Sequence, residues 1–212
     1  TFNGKGEVTR NELIKFSIPL LLTMLLTWIF ASSDKITIKL FSNLNEVGLY
    51  SGAFKIISLI IIIQTGFTTF WTPVIFEHYK KYPKNITFYK KANDYLSLIF
   101  FLFGVGILLS RNFLVILLGK KYYNTLYIMP MLIFMPIMYL LSETTMVGIA
   151  FKKKTKYFIY ISIIVAMMNI IGNIVLTPYL GAKGAAISTG ISYIAFFSLR
   201  TYFSIKLINF NF

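Results

Sequence analysis

The chain has 212 residues, of which 57% are hydrophobic and 17% aromatic while 13% are charged, and its formal charge is +14. A composition this apolar exceeds what a soluble domain can cover and makes lipid the solvent for most of the surface. The lysines sit in short clusters between apolar runs rather than along one patch, which argues against nucleic acid; with no cysteine and a single histidine, His78, neither disulfides nor a metal centre is expected, and no motif calls for a cofactor.

Residues 1–10 are polar, begin at Thr1 and lack a signal-peptide pattern, so the sequence reads as starting inside a longer protein. A bilayer core about 30 Å thick requires roughly 20 helical residues, because lipid satisfies no backbone polar group. Six stretches meet that need, at residues 13–33, 47–76, 92–109, 126–151, 157–177 and 184–207. The first carries Pro19, whose missing backbone donor predicts a kink that serves as a hinge or adjusts packing, and it ends at an outer mouth marked by Asp34 and Lys35.

The second span holds Lys55, about 12 Å below the outer surface at 1.5 Å per residue. Snorkelling covers only part of that distance, so Lys55 is expected to line an aqueous cavity. Gln64 opens a polar patch with Thr65, Thr68 and Thr69, and Pro73 near the cytoplasmic end is a second hinge position. After the third span, residues 113–118 are too short to cross and are expected at the outer interface or against the bundle.

Pro130 and Pro136 predict a bent fourth span, in which Glu143 lies about eight residues from the cytoplasmic end beside Ser142, Thr144 and Thr145. An ionisable group at such depth costs about 2.5 to 3.5 kcal/mol to insert and is a functional candidate by default. The fifth span places Asn169 and Asn173 on one face with Gly172 beside them, an arrangement that suits amides bonding to a neighbouring helix more than a ligand site. In the sixth, small residues from Gly181 to Gly190 predict a close helix approach.

Lysine and arginine residues outside the spans alternate in density. Residues 5–15, the loops at 80–91 and 152–156, and the end of the last span with Arg200 and Lys206 together hold fourteen; the intervening gaps, with Lys35, Lys39, Arg111, Lys120, Lys121 and Lys183, hold six. The positive-inside rule therefore places both ends of the chain in the cytoplasm and the protein in the cytoplasmic membrane. Lys55 is the one cation left within a span. The basic loops also suit anionic lipid headgroups, although topology alone accounts for them. Phosphate loops, nucleophile elbows and paired histidines are missing from the sequence, so a transporter is expected in preference to an enzyme.

Several segments carry a family resemblance: Ile18-Pro19-Leu20, Ser32-Ser33-Asp34-Lys35, Glu46-Val47-Gly48-Leu49-Tyr50-Ser51, Ala53-Phe54-Lys55-Ile56 and Trp71-Thr72-Pro73. Leu118-Gly119-Lys120-Lys121-Tyr122, the lysine run at 152–156, and Asn169 through Pro178 with Gly184-Ala185-Ala186 follow in the same order. Together, over residues 10–205, they resemble the polysaccharide flippases of the multidrug/oligosaccharidyl-lipid/polysaccharide exporter superfamily. That resemblance implies an all-α integral membrane fold in which residues 1–212 form the C-terminal six-helix lobe of a twelve-helix, two-lobe transporter. It also implies flipping of undecaprenyl-diphosphate-linked oligosaccharides by alternating access, with the N-terminal lobe of the same protein, membrane lipids and a polysaccharide polymerase complex as partners.

On this reading Lys55 faces the central cleft and attracts diphosphate or acidic sugars, with Gln64 and Asp34 beside it in the cavity, and Glu143 couples transport to protons or sodium. Two alternatives stay open: a drug or cation antiporter of the same superfamily, and a polytopic transferase or ligase of glycan synthesis.

Overall fold

A computed structural model describes residues 32–82, 85–152, 154 and 156–208. Pro19 and nearly all of the first predicted span lie outside these residues. Among the described residues every regular element is a helix. Residues 32–41 form α1, followed by α2 (Leu44–Lys81), α3 (Ile86–Leu109) and the short α4 (Arg111–Ile116). A 3-10 helix (Lys120–Tyr127) leads into α5 (Met129–Leu132), α6 (Phe134–Thr145) and α7 (Val147–Phe151), and α8 (Lys156–Leu180) and α9 (Ala182–Ile208) complete the chain.

Asparagines start two of the long helices. Asn43 accepts a hydrogen bond from the Glu46 amide at 3.0 Å, and Asn85 from the Phe88 amide at 3.3 Å, each capping an amide that has no partner within its helix. α2 has 38 residues, about 57 Å at 1.5 Å per residue, so it outruns the hydrocarbon and extends past both predicted bounds of its span.

Among the described residues three helices are long and apolar enough to cross a membrane, namely α2, α3 from Thr87, and α8. The 3-10 helix and the stretch Met129–Thr145, bent by 55°, make a fourth if taken as one broken span. The bend falls where Pro130 opens α5, the segment in which proline predicted one. α2, by contrast, runs as one helix through Pro73. At 27 residues α9 is long enough to cross, yet its buried side carries Ser188, Thr189, Ser192, Arg200 and Ser204, which dilutes its hydropathy.

Contacts between helices fix their directions. Leu49 meets Thr125 and Trp71 meets Glu143, so α2 runs parallel to the α5–α7 segment. Thr145 meets Thr201 and Gly148 meets Ser204, so that segment also runs parallel to α9. α3 opposes α6, with Asn93 at Thr144 and Gly104 against Ile137, and α8 opposes α9, with Asn169 at Thr189 and Gly184 against Leu176. Successive long elements therefore alternate in direction, the up-and-down order that the alternating lysine loops require.

Small residues allow the closest approaches. A Cβ on Gly184 would lie 2.5 Å from the Leu176 carbonyl oxygen, and one on Gly190 would lie 2.8 Å from that of Met131, as the small-residue run in the last span predicts. At the α8–α9 turn Gly181 has φ +57°, a conformation costly for any residue with a Cβ. The Glu46 carboxylate of α2 accepts there from the Ala182 amide at 2.9 Å, placing negative charge at the N-terminus of α9.

The main core joins α2 to α5 and α9 through Tyr50, Ile57, Met129, Leu132 and Ala186. Segment 113–118 packs against the bundle through Val115, which is buried in that core, while Phe113, Ile116 and Leu117 are exposed. Outside, large apolar side chains such as Leu59, Ile62, Phe101 and Ile171 face away from the bundle, as hydrocarbon solvent permits.

Candidate functional site

Asp34, half-buried on α1, is the centre of a polar network that crosses three helix boundaries. The Tyr50 hydroxyl on α2 donates to its Oδ2 at 2.5 Å, and Thr189 Oγ1 on α9 donates to the same oxygen at 2.9 Å. Asn173 Nδ2 on α8 donates to Oδ1 at 2.6 Å. A second tier supports the first: Asn169 Nδ2 donates to Thr189 Oγ1 at 3.0 Å, Ser188 Oγ donates to the Asn169 carbonyl at 2.8 Å, and Ser33 Oγ donates to Asn169 Oδ1 at 3.4 Å.

The fold assembles this centre from local rules. Asn169 and Asn173 are four residues apart, so both amides leave the same face of α8. Ser188 and Thr189 face them because Gly172 and Gly184 let α8 and α9 pack nearly backbone to backbone.

Among the described residues all the partners of Asp34 are neutral, and no lysine or arginine pairs with it. Neighbouring Lys35 instead lies over the Phe54 ring at 5.5 Å. Two more oxygens on the same face of α8, Asn173 Oδ1 and Thr177 Oγ1, are buried with no hydrogen-bond partner among the described residues. One carboxylate with amide and hydroxyl oxygens is chemically suited to a proton or a hard monovalent cation. Groups of three or more metal-ligating His, Cys, Asp or Glu side chains are absent among the described residues.

Glu143 has a different environment. On α6, it meets Arg200 of α9 in a buried ion pair at 2.9 Å, with the two side chains 2% and 7% exposed. This corrects the sequence reading of Arg200, which was grouped with the cytoplasmic loop charges: it belongs to the interior, and thirteen basic residues remain on that side. A helical arginine eight positions before the end of an apolar run is indistinguishable from a terminal charge until its partner is placed.

The three residues expected to share a cavity do not meet. Lys55 is exposed on a stripe with Leu59, Ile62, Gly66 and Pro73, spaced so that they recur on one side of α2. Gln64 is nine positions from Lys55, about half a turn out of phase, and is half-buried on the far side. Asp34 faces Tyr50 rather than the Lys55 stripe. The threonines near Gln64 largely satisfy themselves, Thr65 donating to the Ile61 carbonyl and Thr69 to that of Thr65, both at 2.8 Å.

Sequence reasoning missed Tyr50 and Thr189 as members of the Asp34 centre. It placed Asn169 and Asn173 correctly as bridging amides, and the available signal was the polar pair Ser188-Thr189 in the run that opens α9.

Residues 6–127, more than half of the chain, match a protein family described as polysaccharide biosynthesis protein. Neither a curated protein nor a solved structure matches the chain.

Proposed function

This chain belongs to the polysaccharide biosynthesis protein family, and on that premise we propose that it is a six-helix lobe of a carrier that exports lipid-linked oligosaccharides across the cytoplasmic membrane. The family match is the observation that carries this reading. The alternating helix directions and the basic loops support a lobe with both ends in the cytoplasm.

The substrate class is a diphosphate-linked oligosaccharide on a polyprenyl lipid. Lys55 supplies a cation on an exposed face of a membrane helix, where low dielectric strengthens its attraction for a diphosphate. The N-terminal lobe of the full protein covers that face and completes the cleft. Alternating access then moves one lobe against the other around the bound headgroup.

Asp34 is the site of energy coupling. Its partners among the described residues are neutral hydroxyl and amide donors on α2, α8 and α9, so a proton or cation arriving at this carboxylate reaches three neighbouring helices at once. The protein translocates its substrate without chemical change.

Deleting the gene in its host tests the reading. Lipid-linked repeat units are expected to accumulate on the cytoplasmic leaflet and to disappear when the intact gene is restored; normal surface polysaccharide in the deletion strain overturns the proposal. Unchanged polysaccharide with increased drug sensitivity would instead favour the antiporter alternative.

A further inference from the structure

Arg200 occupies a site that the coupling and substrate roles leave unused. Its Nη1 donates to Glu143 Oε1 at 2.9 Å and to Ser142 Oγ at 2.7 Å, and its Nη2 contacts Met146 Sδ at 2.7 Å. Three aromatic rings surround the guanidinium: Phe196 at 4.9 Å, Phe158 at 5.1 Å and Tyr139 at 5.6 Å. They belong to α9, α8 and α6, so one side chain touches three helices.

The pair is also the first tooth of a polar zipper. One residue beyond Arg200, the hydroxyls of Thr201 and Thr145 are 2.7 Å apart. One turn beyond, Ser204 Oγ accepts from the Gly148 amide at 2.8 Å, and Gly148 lacks a Cβ that would collide with the Ser204 backbone. Arg200, Thr201 and Ser204 thereby lock α9 to both sides of the turn at Met146 that separates α6 from α7.

Contact with α2 adds to the lock, because the Trp71 indole donates to the Glu143 carbonyl at 3.3 Å. Among the described residues the ionisable groups placed against Glu143 are Arg200 of α9 and Tyr139 of α6; α2 presents an indole, α8 a phenyl ring and α3 the Asn93 amide at neighbouring Thr144.

We propose that Glu143 and Arg200 form a permanent clamp that holds α6, α7, α8 and α9 as one rigid body, and that the pairing keeps Glu143 out of the transport cycle. Separating the two would leave both charges buried, so the lobe moves with the pair intact. The clamp assigns Glu143 a positioning role. The export pH profile used below rests on the proposed function, whereas the melting measurement does not depend on it.

The test uses the purified full-length protein and cells expressing it. Glu143→Gln and Arg200→Gln each leave one buried charge unpaired and are expected to lower the melting midpoint by about 10 °C. The double variant Glu143→Leu with Arg200→Met removes both charges and fills the space; it is expected to recover more than half of that loss and to export with an unchanged pH profile. Single variants that melt like the parent overturn the clamp. A double variant that is stable but exports with a shifted pH profile, or not at all, also overturns it by placing Glu143 in the cycle. If no variant or condition supports export, the melting cycle alone decides the clamp.

Discussion

The Asn173 amide and the Asp34 carboxylate meet at 2.6 Å across 139 positions of sequence, and the contact joins α8 to α1 at a charge with no cationic partner among the described residues. The Glu143–Arg200 pair, eleven residues further along α9 than Thr189, is internally neutral. The two carboxylates differ in what surrounds them: neutral hydroxyl and amide donors at Asp34, and a guanidinium ringed by aromatic side chains at Glu143. That difference is the ground on which Asp34, and not Glu143, is proposed as the exchanging group.

Asp34→Asn should therefore remove coupling while leaving the network largely hydrogen-bonded. Export of lipid-linked units is expected to fall by about 5- to 150-fold, the range spanned by ordinary coupling free energies, with unchanged protein levels in the membrane. Export at the parental rate would show that Asp34 only joins the helices.

Lys55→Ala should reduce export about tenfold, the effect of losing one charge-assisted contact of about 1.5 kcal/mol or more. Lys55→Arg should retain most of it, because the position requires positive charge on an exposed face and no neighbouring side chain restricts its shape. Equal loss in both variants would point to packing at that exposed face rather than to charge.

Glycine substitutions should separate by neighbourhood. Gly184→Ala drives a Cβ to within 2.5 Å of the Leu176 carbonyl oxygen and is expected to cost about 1 to 3 kcal/mol, seen as a melting midpoint lowered by several degrees. At Gly66, a Cβ meets nothing within 4 Å, and alanine there should be neutral or stabilising by up to about 1 kcal/mol. Equal midpoints for the two variants would contradict the tight α8–α9 crossing.

These 212 residues contain no cysteine, so a pair introduced among them is the pair that cross-links within this stretch. Thr145→Cys with Thr201→Cys should cross-link under mild oxidation, because the hydroxyls they replace are 2.7 Å apart. After proteolytic cleavage in the loop at 152–156, the fragments should stay joined until reduced. Fragments that separate without reductant would place α6 and α9 in a different register.

Single cysteines report orientation. A membrane-impermeant maleimide should label Lys121→Cys in intact cells and Lys90→Cys only after permeabilisation, because the lysine-rich loop at 80–91 is assigned to the cytoplasm. The reverse pattern would invert the lobe.

The sequence by itself determined the solvent, the approximate positions of the long helices and their alternation, because these depend on run length, hydropathy and charge counts that read the same in any tertiary arrangement. It also determined that Pro130 lies in a bent segment and that the Asn169 and Asn173 amides share a face, since both follow from backbone chemistry and helical period. Partners were decided only by tertiary structure. Arg200 reads as a loop charge until α9 is laid parallel to α6, and Asp34 reads as the end of a helix until α8 and α9 bring Asn173 and Thr189 to it. Lys55, Gln64 and Asp34 look like one cavity when ranked by depth alone, yet rotation about the α2 axis sends Lys55 and Gln64 to opposite sides. Depth is a property of sequence position, whereas the pairing of charges depends on which helix faces are packed together.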